Sequence, residues 1–127
     1  MRVLGIDPGF DRLGIAVIEG SASKPILVWS ECVEPPKGAV EERLAAVSDA
    51  IENAIQKFEP EMLAIETLFF STNRKTALGV GQARGAILSC AGKAGVPVAE
   101  FSPQQIKLAI TGYGAADKKA IAMMIPK

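Results

Sequence analysis

Residues 2–9 have the sequence Arg-Val-Leu-Gly-Ile-Asp-Pro-Gly, an apolar run that ends in a carboxylate and a turn. Residues 2–7 predict a buried strand, because apolar side chains dominate the run. Pro8 and Gly9 stop this strand, since proline cannot donate to a sheet ladder and glycine suits a turn. The first strand therefore delivers Asp7 at its carboxyl end.

Two further strand-like runs follow at 13–19 and 25–33, and the turn-forming residues Gly-Ser-Ala-Ser at 20–23 link them. Short links of this kind favour hairpins, so we expect the chain to open with a three-stranded antiparallel meander. Beyond the meander, the apolar residues of 40–58 recur every three or four positions, which is typical of one helical face. The sequence therefore predicts a long helix after the third strand.

The run Met-Leu-Ala-Ile at 62–65 is apolar at every position and ends in Glu66. It predicts a central strand covered on both faces, with a second carboxylate at its end. A helix is expected over 74–92, although each of its glycines at 79, 81 and 85 costs about 1 kcal/mol relative to alanine. One face of this helix carries small residues at every fourth position, namely Ala77, Gly81 and Gly85. Such a face lets the sheet or a partner approach the helix backbone closely.

A last strand is predicted over 96–101, then a helix that begins at Ser102-Pro103 and a final helix near Ala115. This order of elements is the RNase H-like succession, in which an opening meander pairs with later parallel strands. We expect an α/β fold whose five-stranded mixed sheet combines the antiparallel meander with two parallel strands, flanked by helices. In that fold the strands that end in Asp7 and Glu66 lie side by side.

The bulk composition favours a single packed domain. The chain has 127 residues, of which 49% are hydrophobic and 22% charged, a balance that argues against disorder. No apolar run approaches the roughly 20 residues of a membrane span, and no secretory signal is visible, so we expect a cytoplasmic protein with no membrane partner. Cys32 and Cys90 are expected to be buried free thiols.

Charge is unevenly distributed along the chain. Residues 1–66 hold 6 Lys/Arg against 12 Asp/Glu, and residues 67–127 hold 8 against 2, so the two parts carry −6 and +6. A basic second half suits contact with nucleic acid, and an ordinary solvated surface is the alternative. The chain has no histidine, so a metal site would rely on carboxylates and favour magnesium or manganese over zinc.

Asp7 and Glu66 are the candidate metal ligands and catalytic residues. Metal-assisted cleavage of a phosphodiester needs carboxylates that converge from different strands and hold one or two ions, about 4 Å apart when there are two. Alternatively, each carboxylate caps a turn or pairs with a lysine, although a lone charge is costly to bury. A rival hypothesis treats residues 5–9 as the phosphate loop of actin-like ATPases and sugar kinases, which need two such domains.

Five segments of the sequence occur together in one known family. They are Leu-Gly-Ile-Asp-Pro-Gly at 4–9, Ala-Ile-Glu at 64–66 followed by Phe69 and Asn73, Gly-Gln-Ala-Arg-Gly at 81–85, Gln-Ile-Lys at 105–107, and Thr-Gly at 111–112 running into Ala-Asp-Lys at 116–118. In these segments, their order and their spacing, the chain resembles the RuvC family of Holliday-junction resolvases. The resemblance covers nearly the whole chain.

The resemblance implies a homodimer that binds a four-way DNA junction and nicks two strands symmetrically, using Mg²⁺ with Mn²⁺ as a substitute. It also implies branch-migration proteins of the RuvA and RuvB type as partners. Asp7 and Glu66 fall on the first two of the family's four acidic metal ligands. Phe69 matches an aromatic residue beside the junction bases, and core packing is the alternative for either Phe69 or Phe70.

Other positions take their expected roles from the same resemblance. Basic residues near the scissile phosphate or along the DNA backbone are Arg74, Lys75, Lys107, Lys118 and Lys119. An ordinary surface role is the alternative for each of these lysines. The helix at the family's dimer face carries Gly81, Arg84 and Gly85, of which Arg84 serves either helix packing or the dimer.

The chain departs from the family pattern at its carboxyl end. The family's third and fourth acids form an Asp-x-x-Asp-type pair on a further helix, whereas the acids after Glu66 here are Glu100 and Asp117, which match neither position. We therefore expect residues 1–127 to form a single RNase H-like nuclease domain without that helix. The alternative function is a catalytically incomplete module for junction binding or dimerisation, and a nucleotide-binding fragment is a third hypothesis.

Overall fold

The computed structural model describes residues 1–9, 11–21, 24–66 and 74–101. In chain order, the elements within these ranges are β1 (Arg2–Pro8), β2 (Leu13–Ser21), β3 (Lys24–Val33), α1 (Val40–Phe58), β4 (Met62–Glu66), α2 (Arg74–Ala94) and β5 (Val98–Phe101). The helices predicted after Ser102 lie outside the described residues.

The strands form a five-stranded sheet in the order β3-β2-β1-β4-β5. The pairs β1–β2 and β2–β3 are antiparallel, whereas β1–β4 and β4–β5 are parallel. This topology confirms the predicted RNase H-like mixed sheet. The last strand begins two residues later than predicted, because α2 continues to Ala94 and ends at Gly95, whose φ of 71° is left-handed.

Both helices pack on one face of the sheet. The apolar cluster beneath them consists of Leu4, Ile6, Leu13, Ile15, Val17, Val47, Ile51, Ala54, Phe58, Leu63, Ile65, Ile87, Cys90 and Ala91. Val3 and Ala64, which alternate with cluster residues and so face the other way, are also fully buried. The prediction that residues 62–65 form a strand covered on both faces is therefore confirmed. Neither α1 nor α2 combines the length and apolar character of a membrane-crossing helix.

The carboxyl end of α1 packs against the end of the sheet where β1 begins. The helix stops at Glu59, whose φ of 48° is left-handed and whose N–H donates to the carbonyl of Ile55. The Phe58 ring stacks on Trp29 of β3 with 5.1 Å between centroids. Arg2 donates a hydrogen bond to the Phe58 carbonyl at 2.8 Å and lies 3.2 Å from the Glu19 carboxylate. These contacts lie at the opposite end of β1 from Asp7.

The two cysteines differ in exposure. Cys90 is buried between the helices, where its sulfur lies 3.1 Å from the Ser48 hydroxyl. Cys32 is exposed, so the prediction of two buried thiols is wrong for this residue. The reason is that β3 is an edge strand and Cys32, paired with Gly14, lies on the face away from α1 and α2. Both thiols are free, as predicted.

Candidate metal and nucleic-acid site

Asp7 and Glu66 lie side by side at one edge of the sheet. The parallel register of β1 and β4 runs to the pair Ile6 and Ile65, and the next residue on each strand is a carboxylate. Ile6 and Ile65 face the helices, so Asp7 and Glu66 both project from the opposite face. Neighbouring strands are about 4.8 Å apart, so the structure brings the two carboxylates together as predicted.

A glycine and a phenylalanine flank Asp7 and Glu66 on the two neighbouring strands. On β2, Gly14 pairs with Asp7, and on β5, Phe101 pairs with Glu66. Because paired residues share a face, Gly14, Asp7, Glu66 and Phe101 form one row across the sheet. Gly14 has no side chain to place beside Asp7. The sequence interpretation missed Gly14 and Phe101 as site neighbours, although hairpin pairing from Pro8 and Leu13 places Gly14 opposite Asp7.

The donor set fits a hard divalent cation. Both residues are partly buried, and the Oε2 atom of Glu66 is enclosed by the protein. Two carboxylates held together repel each other, and a divalent cation offsets this repulsion with the oxygen ligands that Mg²⁺ and Mn²⁺ prefer. Over the described ranges, no group of three or more His, Cys, Asp or Glu residues gathers. That part of the chain would therefore supply two ligands, and water or substrate oxygens would complete the coordination.

The turn after Asp7 is tightly closed. We call residues 9–12 the β1–β2 turn; the structure describes Gly9, Asp11 and Arg12 of it. A Cβ atom at Gly9 would overlap the carbonyl oxygen of Arg12. Only glycine therefore closes the turn without a backbone shift, two residues beyond a candidate ligand.

Gly9→Ala is expected to lower the free energy of unfolding by about 1–3 kcal/mol, the usual cost of forcing extra volume into a filled space. Urea denaturation monitored by tryptophan fluorescence measures the change. The control is Asn53→Ala, at an exposed position of α1 away from the β1–β2 turn. That variant should be neutral or stabilising by up to about 1 kcal/mol, since alanine favours a helix. Equal losses in both variants would contradict the tight turn.

The predicted DNA-binding residues lie partly within and partly outside the residues that the structure describes. Arg74 and Lys75 begin α2, and the structure describes their backbone but not their side chains. Four residues lie outside the described ranges, namely Phe69, Lys107, Lys118 and Lys119. Their roles in DNA binding stay predictions.

One side of α2 is open and the other packs on the sheet. The exposed positions recur every three or four residues, and we call them the α2 stripe: Leu78, Gln82, Gly85, Ser89 and Gly92. Leu78 is 65% exposed, and a Cβ at Gly85 would meet no described atom within 4 Å. Gly81 is partly buried beside this stripe.

Arg84 points away from the α2 stripe. Its side chain is 16% exposed and forms an ion pair with Glu100 of β5 in the same chain. Of the two roles expected for Arg84, the structure thus shows packing of the helix on the sheet. A contact of Arg84 with a second copy stays a prediction.

A mixed sheet of this topology, with carboxylates at the ends of β1 and β4, is the arrangement of the RNase H-like class of metal-dependent nucleases. The family model described as crossover junction endodeoxyribonuclease RuvC matches residues 3–127. The chain belongs to the RuvC family of crossover junction endodeoxyribonucleases, which are nucleic-acid-hydrolysing enzymes. The resemblance noted in the sequence is therefore confirmed.

Individual relatives agree with this membership. The RuvC of Moorella thermoacetica is 41% identical, and the match covers 98% of this chain and 75% of the relative. Among solved structures, T. thermophilus RuvC in complex with a Holliday junction substrate is 38% identical, with a TM-score of 0.77 and coverage of 98% of this chain and 76% of that chain.

Sugar kinases, the basis of the rival hypothesis of a phosphate loop, share only the fold with this chain. The ROK hexokinase of Thermus thermophilus is 21% identical, with a TM-score of 0.52, and the match covers 86% of this chain but 37% of the hexokinase. At this identity the likeness shows a shared fold and no shared function.

Proposed function

We propose that the chain is a structure-selective endonuclease that resolves four-way DNA junctions by symmetric nicking, with Mg²⁺ held by Asp7 and Glu66. The observation that carries this proposal is the adjacency of the two carboxylates on one face of the sheet, with Gly14 paired to Asp7. The solved relative that contains a Holliday junction substrate supports the choice of DNA. A cytoplasmic location and a single nuclease domain belong to the same proposal.

Each part of the site has a chemical task in this proposal. When bound, the ion activates water and stabilises the leaving oxygen of the cleaved phosphodiester. Asp7 and Glu66 hold the ion, and the enclosed Oε2 atom limits the orientations open to Glu66. Gly14 places no side chain beside Asp7, where any larger residue would put one. Mn²⁺ is the natural substitute because it accepts the same oxygen ligands.

DNA contacts belong to the basic second half of the chain. Residues 67–127 carry 8 Lys/Arg against 2 Asp/Glu. We propose backbone contacts for Arg74, Lys75, Lys107, Lys118 and Lys119, which would make binding dependent on salt. Phe69 is proposed to stack on a junction base, an interaction that contributes about 1–3 kcal/mol per base. Branch-migration proteins of the RuvA and RuvB type are the proposed protein partners.

A cleavage assay on labelled junctions tests the function. We expect binding to a four-way junction in EDTA and paired symmetric nicks after addition of Mg²⁺ or Mn²⁺. The control substrate is a linear duplex that contains the sequence of two junction arms, and it should be neither bound tightly nor nicked. Equal binding of junction and duplex would contradict the proposal.

The second candidate function is a junction-binding or dimerisation module without nuclease activity. The observation that favours it is the number of ligands, since the described ranges gather no third acid at Asp7 and Glu66. Two carboxylates bind Mg²⁺ weakly and do not fix a two-ion geometry. Selective binding without nicks at any metal concentration would support this candidate over the first.

The α2 stripe is the proposed dimer interface. Its small residues allow a second copy of the helix to approach closely, and exposed Leu78 supplies apolar area at one end. Light scattering coupled to gel filtration should give twice the chain mass of 13.4 kDa. Gly81 and Gly85 belong to the contact in this proposal.

Gly85→Arg is expected to convert the dimer into a monomer, because the long charged side chain separates the two helices. The control is Gln56→Arg, which places the same side chain on an exposed position of α1. Light scattering at matched protein concentrations measures both variants. A dimeric Gly85→Arg protein would show that the interface lies elsewhere.

A further inference from the structure

A partly buried arginine of α1, Arg43, contacts the turn that follows Asp7. The Arg43 side chain is only 17% exposed, and its Nη2 atom lies 3.6 Å from the Asp11 carboxylate. Its Nη1 atom donates a hydrogen bond to the Pro36 carbonyl at 3.1 Å. Arg43 therefore connects α1 with the β1–β2 turn and with the loop between β3 and α1.

The surroundings of Arg43 connect it to the site edge of the sheet. Arg43 and Gly9 line the same cavity of about 30 Å³, together with Gly79 and Gln82 of α2. The β1–β2 turn, α1 and α2 therefore border one cavity. Two contacts thus restrict the conformation of the β1–β2 turn: the close approach of Gly9 to the Arg12 carbonyl, and the ion pair of Asp11 with Arg43.

We propose that Arg43 is a positioning residue for the metal site: it holds the β1–β2 turn and, through the turn, the end of β1 that carries Asp7. The inference rests on the proposed function. A planar guanidinium serves a carbonyl and a carboxylate at the same time, in a fixed geometry that the lysine ammonium does not reproduce. Asp11 is 79% exposed, so its ion pair contributes little stability. The contribution of Arg43 is geometric, and small displacements of a ligand weaken a metal site.

Arg2 provides a matched control at the other end of the sheet. It makes the same two kinds of contact, a hydrogen bond to the Phe58 carbonyl at 2.8 Å and an ion pair with Glu19 at 3.2 Å. Its side chain is 34% exposed. Loss of Arg2 removes comparable interactions from β1 but leaves the β1–β2 turn untouched.

The experiment compares the full chain with its Arg43→Met, Arg43→Lys and Arg2→Met variants, and it has two readouts. Hydrogen exchange of the metal-free protein reports on peptides that span residues 7–13. Isothermal titration with Mn²⁺ reports the affinity of the site. We expect Arg43→Met to exchange faster over residues 7–13 and to bind Mn²⁺ about 10–100-fold more weakly, the usual effect of losing a residue that orients a ligand. Arg43→Lys should fall between the wild type and Arg43→Met.

Arg2→Met should match the wild type in both readouts. Equal changes in Arg2→Met and Arg43→Met would show a general loss of stability and overturn the inference. Wild-type affinity for Mn²⁺ in Arg43→Lys and Arg43→Met would also overturn it, while the proposed function would stand. A wild-type chain that binds no Mn²⁺ would refute the proposed function and this inference with it.

Discussion

Asp7→Asn and Glu66→Gln are each expected to lower the rate of junction nicking by at least about 10²–10³-fold, because each would weaken the hold on the ion that stabilises the developing charge. Each change keeps the size of the side chain but removes the negative charge and one hard oxygen donor. Single-turnover kinetics at saturating protein measure the rate independently of DNA affinity. Binding of the junction in EDTA should be unchanged, because the proposed DNA-binding residues are other side chains than Asp7 and Glu66.

The control for these variants is Asp49→Asn, which removes an exposed carboxylate from α1, on the far face of the sheet. It should nick at the wild-type rate. Calorimetry with Mn²⁺ gives a second readout that does not depend on turnover, and both site variants should lose binding there. Normal nicking by a chain with both substitutions would refute the assignment of Asp7 and Glu66.

Ile15→Ala is expected to lower the free energy of unfolding by about 2–5 kcal/mol, as for other large-to-small changes in a core. Ile15 is 1% exposed and belongs to the cluster beneath the two helices. A small domain has only about 5–15 kcal/mol of stability, so this single change removes a large share of it. Urea denaturation at a fixed protein concentration measures the loss.

Ile26→Ala is the matched control for Ile15→Ala. It makes the same substitution in a strand of the same sheet, but Ile26 lies on edge strand β3 and is 58% exposed. We expect a change within about 0.5 kcal/mol, as for most surface positions. Similar losses in the two variants would mean that the core is not where the structure places it.

Within the described ranges, the sequence predicted the helices and strands well because each has a clear local pattern. The periodic apolar residues of 40–58 gave both ends of α1, and the all-apolar run 62–65 gave a strand buried on both faces. The adjacency of Asp7 and Glu66 was also predictable, although it is not local. It follows once β1 and β4 pair in parallel, and the order of elements in an RNase H-like fold requires that pairing.

Features that depend on neighbours from other elements were not predictable in the same way. A strand pattern does not reveal whether the strand lies at an edge, so the exposure of Cys32 was missed. The row of Gly14, Asp7, Glu66 and Phe101 needs the register of three strand pairs. Arg43 has a helical position typical of a solvated side chain, and the two loops that it contacts come from distant parts of the sequence.

Arg84 and Gly85 are consecutive on α2 but lie on different sides of the helix. Arg84 forms an ion pair with Glu100 of β5, and β5 pairs with β4, the strand that ends in Glu66. Gly85 lies on the exposed side of the helix. If two copies join through that open side, one helix would connect each proposed metal site to the symmetry axis. The spacing of the two cuts would then be set by the protein before any junction binds. A junction whose arms do not match this spacing would be bound without being cut on both strands.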